Sequence, residues 1–192
     1  MKASLAGRLP YFVTSLVIVA LDRATKSMIE AKLQPWKSVP VIPGLFDLTY
    51  VRNPGGVFGI FKNLDDGVRG VLFTVVPVTA ILLMAAYAGR IPVSRRLTQV
   101  SLSLILGGAV GNLVDRFLHG HVIDFLDFYW RSHHWPAFNI ADSAICVGVA
   151  MLMIETIFVG DGQETVPLPA GNVAAGTPPT PTVPPVKRGD AP

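Results

Sequence analysis

The chain has 192 residues, of which 51% are hydrophobic and only 15% charged, with a mean hydropathy of +0.48. An ordinary soluble domain is about 25% charged, so this composition excludes little but points to an integral membrane protein rather than a water-soluble core. The net charge of +3 does not mark a nucleic-acid binder, because the basic residues are scattered over short connections and no basic stripe with interleaved aromatics occurs.

The first ten residues are short and basic at Lys2 and Arg8, and a dense apolar run from Tyr11 to Leu21 follows. A secretory signal peptide begins this way, but no small-x-small cleavage site comes after it. The run continues instead through Asp22-Arg23-Ala24-Thr25-Lys26 at good helix propensity, which predicts a retained first span over residues 11–29. Asp22 and Lys26 are spaced i, i+4 and can pair on one helix face. The pair reads either as an interfacial cap with a snorkelling lysine or as a structural link into a polar site.

Residues 30–67 change character. Pro35, Pro40, Pro43 and Pro54 break helices, and Gly44, Gly55, Gly56 and Gly59 supply turns. Leu45 to Val51 alternates loosely and is rich in strand formers, which predicts a small β element on the membrane surface. Trp36 and Tyr50 suit an aromatic belt. The β element and the amphipathic residues 60–66 are expected to lie together as a lid that excludes excess water.

Residues 68–88 predict a second span, kinked at Pro77. A tight turn with Arg90, Arg95 and Arg96 leads to a third span over residues 97–117, rich in small residues that let helices approach closely. Its last turns carry Asn112, Asp115 and Arg116. A second loop, 118–137, holds the aromatics Phe125, Phe128, Tyr129, Trp130 and Trp135 and the histidines His119, His121, His133 and His134. The fourth span runs over residues 138–159. Cys146 lies in it, in apolar surroundings that leave a thiol inert, so its role is packing. Residues 161–192 are Pro, Gly, Ala, Thr and Val with few large side chains, and are expected to be a disordered cytoplasmic tail. The expected fold is therefore all-α and membrane-bound, a domain of four transmembrane helices over 1–160 with a small β element outside the membrane.

Lysine and arginine bias sets the orientation. The 1–10 and 89–96 segments hold two and three basic residues, whereas the longer loops 30–67 and 118–137 hold four and one. Both termini are thus expected on the cytoplasmic side and both long loops outside. Helix three then leaves the membrane just before Asp124, and helix four re-enters it just before Asp142. Antiparallel neighbours bring the two carboxylates to one membrane face. Polar groups at that depth are costly and usually mark function or a necessary contact. Two close carboxylates cannot both ionise, and sharing a proton they can activate water while polarising a peptide carbonyl. The structural alternative has Asp124 capping a helix and Asp142 paired with Arg116.

Five blocks now carry a resemblance: Asp22 with Thr25-Lys26; Arg52-Asn53-Pro54-Gly55-Gly56-Val57-Phe58; Gly108 to Arg116; Val122-Ile123-Asp124-Phe125; and Phe138-Asn139-Ile140-Ala141-Asp142-Ser143. In order and spacing they resemble the signature of the lipoprotein signal peptidases, or signal peptidase II, over residues 8 to 159. The resemblance implies a four-helix inner-membrane aspartic endopeptidase that removes the signal peptide from prolipoproteins just before a diacylglyceryl-modified cysteine. It implies Asp124 and Asp142 as the catalytic pair, and Asn53, Asn112, Arg116 and Asn139 as polar groups lining the site and holding substrate backbone. Asp22, Lys26 and Asp115 would be structural polar residues. It implies no metal, cofactor or nucleic-acid partner, contact with membrane lipid, and inhibition by globomycin. The turn Pro54-Gly55-Gly56-Val57 departs from the family's common Thr-Gly-Ala-Ala.

Two other classes fit some of these residues: a four-span transporter or scaffold with Arg116 and the acids as a relay, and a zinc hydrolase using the loop histidines with Asp124 and Asp127. Against zinc, no HExxH helix occurs and adjacent His133-His134 is poor chelating geometry.

Overall fold

The computed structural model describes residues 5–55 and 65–159. The expected disordered tail and residues 60–64 of the expected lid lie outside the described residues. In chain order the elements are α1 (Leu5–Lys32), β1 (Ser38–Ile42), β2 (Phe46–Asn53), α2 (Asp66–Arg90), α3 (Arg96–His119), β3 (Val122–Trp130), β4 (His133–His134) and α4 (Ile140–Ile154), with a π-helical turn Glu155–Val159 continuing α4.

Three helical segments are long and apolar enough to cross a membrane among the described residues: Gly70–Arg90, Arg96–His119 and Ile140–Phe158. The long helix α1 is not one of them, because Asp22, Arg23 and Lys26 interrupt its apolar run. Its outward surface is nonetheless apolar: Phe12 and Leu16 are well exposed, as are Leu82 and Leu83 on α2. A polar outer face would be needed in water; an apolar one suits hydrocarbon.

Small residues set how closely the helices meet. α3 packs along α4 and α1. A methyl group added at Gly108 would strike the carbonyl of Ala141, one at Gly148 would lie 2.7 Å from the carbonyl oxygen of Ser101, and one at Gly107 would lie 2.8 Å from that of Ser15. With no hydrophobic drive between helices in lipid, such backbone contact supplies the packing.

The β region is larger than the sequence suggests. The second loop, 118–137, is not irregular: it forms β3 and β4, which join β1 and β2 in a sheet ordered β1-β2-β3-β4. β2 and β3 are antiparallel, with Val51 opposite Asp124 and Asn53 opposite Val122. Gly120 makes this possible. It ends α3 at φ 73°, a left-handed conformation that costs glycine little, and its N–H caps the carbonyl of Arg116. Ile29, Tyr50, Ile123 and Phe125 form the buried apolar cluster where the sheet meets the helix ends.

Candidate active site

α4 begins with a reciprocal cap. The Asn139 side chain accepts from the N–H of Asp142 at 2.9 Å, and Asp142 Oδ2 accepts from the N–H of Asn139 at 3.2 Å. The cap answers two otherwise orphaned helix donors and fixes the Asp142 side chain at the top of the helix.

Asn139 also ties this turn to β3. Its Nδ2 donates to Asp124 Oδ1 at 2.7 Å. The two carboxylates therefore share one residue, Asp124 through its side-chain amide and Asp142 through its main chain. From the other side Asn53 Nδ2 donates to Asp124 Oδ2 at 2.9 Å. Asn53 reaches it because it lies two residues beyond Val51, the residue opposite Asp124, and side chains two apart share a sheet face. Asn112, on α3, donates to Asp142 Oδ1 at 2.7 Å. The structure thus brings together Asp124, Asp142, Asn53, Asn112 and Asn139.

Burial separates the two acids. Asp124 is only 2% exposed, whereas Asp142 is half-buried. Loss of solvent pushes the Asp124 carboxyl up to about 7, against the hydrogen bonds from Asn53 and Asn139 and with the help of Asp142's charge.

Beneath the pair lies an ionic cluster. Lys26 and Asp22, both fully buried, pair at 2.7 Å. Lys26 also pairs with Asp115 at 2.8 Å and donates to Asn112 Oδ1 at 3.0 Å. Asp22 accepts from the N–H of Ala141 at 3.0 Å, and Asp115 accepts from that of Ile123 at 3.2 Å. Lys26 is wholly buried, so its head does not snorkel, and it bonds instead to Asn112 beside Asp142. Arg23, which sequence reasoning did not single out, closes the cluster with a 2.7 Å bond to Asp115. Only its position beside Asp22 hinted at this.

Arg116 sits differently. Its guanidinium lies 5.1 Å from the centre of the Phe73 ring on α2. No ion pair joins it to a carboxylate among the described residues, so the alternative in which Arg116 pairs with Asp142 does not occur. Nor does Asp124 cap a helix; it lies inside β3. The histidines divide between two places. His119 ends α3, 3.9 Å from Glu30, and the Nδ1 of His121 is 2.8 Å from His119's own carbonyl. His134 pairs with Asp127 at 3.0 Å.

Fold and site together define a helical membrane protein with a paired-carboxylate centre where its helices meet a small sheet. The sequence model of the signal peptidase (SPase) II family matches residues 14–158. The chain is 48% identical over 147 residues to the lipoprotein signal peptidase of Geobacter metallireducens, covering 77% of this chain and 90% of that one. It is 42% identical over 159 residues to that of Moorella thermoacetica, covering 83% of this chain and 100% of the relative. A bacterial membrane enzyme structure obtained by the in meso method matches with a TM-score of 0.71 at 26% identity, over 81% of this chain and 92% of that one.

The chain belongs to the signal peptidase II family. It is accordingly a membrane aspartic peptidase, and its apolar helices are those of an integral membrane protein.

Proposed function

We propose that this enzyme cleaves the signal peptide from prolipoproteins immediately before a diacylglyceryl-modified cysteine, with Asp124 and Asp142 as its catalytic pair. The observation that carries the reading is the asymmetric environment of two acids held by one asparagine. Asp124, buried and raised to about 7, is the acid that donates to the scissile carbonyl. Asp142, half-buried and accepting from Asn112 and from the N–H of Asn139, is the base that takes the proton of the attacking water. As water adds, its proton moves to Asp142 and the carbonyl oxygen takes that of Asp124. Collapse of the tetrahedral species returns a proton to the leaving amine.

Asn53, Asn112 and Asn139 direct amide hydrogens at the carboxylates and set their positions. Asn53 and Asn112, both only partly buried, bind substrate backbone through what remains of their hydrogen-bonding capacity, whereas Asn139, wholly buried with its amide committed to Asp124 and Ile123, does not reach substrate. Arg116, free of either carboxylate, offers donors to a peptide carbonyl beside the scissile bond. Asp22, Lys26 and Asp115 hold the helices that carry the pair.

The lipid-bearing substrate arrives laterally from the bilayer. All four long helices cross the inner membrane, with both termini cytoplasmic and the carboxylate pair at the outer face, as the lysine and arginine bias supports. Globomycin-type peptides occupy the pair and block it.

The test is cleavage of a diacylglyceryl-modified precursor by the purified full chain, with the new amino terminus read by mass spectrometry. Asp124→Asn and Asp142→Asn each lower kcat by about 10³-fold or more. The wild type loses activity as pH rises through about 7, where Asp124 gives up its proton and both carboxylates become charged. Retained cleavage by both variants would sink the catalytic assignment. Loss on chelation with indifference to both aspartate changes would point to the zinc alternative.

A further inference from the structure

α2 is the long helix least involved in the site; its main packing partner is α3. It nevertheless sends one side chain, Phe73, to the two arms that reach the carboxylate pair. The first arm is Arg116, whose guanidinium lies over the Phe73 ring at 5.1 Å. The second is the turn after β2. A methyl group added at Gly55 would lie 2.5 to 2.8 Å from three atoms of the ring, so the ring rests on bare backbone. Gly55, at φ 116°, donates its N–H to Asn53 Oδ1 at 2.9 Å, and Asn53 in turn donates to Asp124.

Arg116 needs such a restraint. It lies one turn beyond Asn112 on α3, on the same face, so it is within reach of the pair that Asn112 serves. A guanidinium offers a rigid fork that fits a carboxylate closely. Were it to close on Asp124, it would favour the charged form of that acid and draw off the proton it holds for the reaction. The face of an aromatic ring attracts the guanidinium without neutralising it.

We propose that Phe73 is a positioning residue that holds Arg116 off the carboxylate pair and toward the substrate side, while seating the Gly55 turn that aims Asn53. The inference rests on the catalytic reading above. Its consequence is that α2, otherwise a lipid-facing helix, controls the proton inventory of the site through an apolar side chain.

The experiment is the pH dependence of kcat and KM for a diacylglyceryl-modified precursor, using the full-length enzyme and its Phe73→Leu and Phe73→Tyr variants. Leucine keeps apolar bulk against Gly55 but removes the ring face; tyrosine keeps the face. For Phe73→Leu, kcat falls about tenfold and the alkaline loss of activity moves about 1 unit toward lower pH. An arginine closing on Asp124 favours its charged form. KM changes far less than kcat, and Phe73→Tyr restores the wild-type pH profile. Phe73→Met supplies the same comparison should the leucine variant not accumulate. A leucine or methionine profile superposed on the wild type overturns the proposal, and so does equal loss in the leucine and tyrosine variants at an unmoved pH profile, which marks packing alone. Failure of the catalytic reading itself shows separately, as activity that survives Asp124→Asn and Asp142→Asn.

Discussion

The two ends of the helix bundle both bury polar side chains, but they use them differently. At the end away from the sheet, Thr98 donates to the Glu155 carboxylate at 2.7 Å, but Arg8 and Gln99 finish backbone. Arg8 donates to the carbonyls of Ala88, Gly89 and Ile91 at 2.6, 2.9 and 3.0 Å, and Gln99 donates to those of Ala88 and Ile91. These are the orphan acceptors at the C-terminus of α2. At the sheet end, donors from Asn53, Asn112 and Asn139 go to carboxylates, and the cluster under them pairs charge with charge. Polar groups that terminate on main chain complete a fold. Polar groups that converge on ionisable side chains, one of them only half covered, assemble the geometry that the proposed reaction uses.

That contrast can be broken in three places, in decreasing order of expected effect. Lys26→Met removes the one cation bonded to both Asp22 and Asp115, leaving Asp22 buried and unpaired and Asp115 with Arg23 alone. The loss is about 3–5 kcal/mol, measurable as a lowered thermal unfolding midpoint in detergent or vesicles. An unchanged midpoint would mean the cluster is not a structural one. Arg8→Met costs about 1–2 kcal/mol, because Gln99 still serves two of the same carbonyls, and it leaves the pH profile of cleavage where it was. A shifted profile would erase the distinction between the two ends. Asn53→Ala removes a bond that favours ionised Asp124, so the alkaline loss of activity moves upward by about half a unit while folding is little altered. Movement in the other direction would contradict the assignment of Asp124 as the acid.

The sign of the stability effect follows from the same group. Folded Asp124 keeps its proton up to about 7, whereas the unfolded carboxyl releases it near its ordinary value of 3.8. Between those values the folded state binds more protons, so this group's contribution to stability declines as pH rises through that window.

Much of this was legible in the sequence because local rules carried it. The i, i+4 spacing of Asp22 and Lys26 and the small residues of α3 are short-range signals, and each corresponds to a contact in the structure. What was not legible depends on partners far along the chain. The segment Val122–Trp130 lacks clean alternation and carries two aspartates, so nothing marks it as a strand until β2 supplies an edge to pair with. Arg23 looked like one more charge at a helix end until α3 brought Asp115 to it. Phe73 is one apolar residue in a long apolar run, and its contacts with Arg116 and Gly55, far along the chain, are what distinguish it among the described residues.

The reciprocal cap at the start of α4 couples two quantities that proteins often keep apart. Asp142 closes the helix and belongs to the carboxylate pair, so a fluctuation that frays one turn also dismantles the geometry in which the proposed reaction would activate water. Resistance of that turn to opening and the fraction of molecules competent at any instant are therefore one local equilibrium.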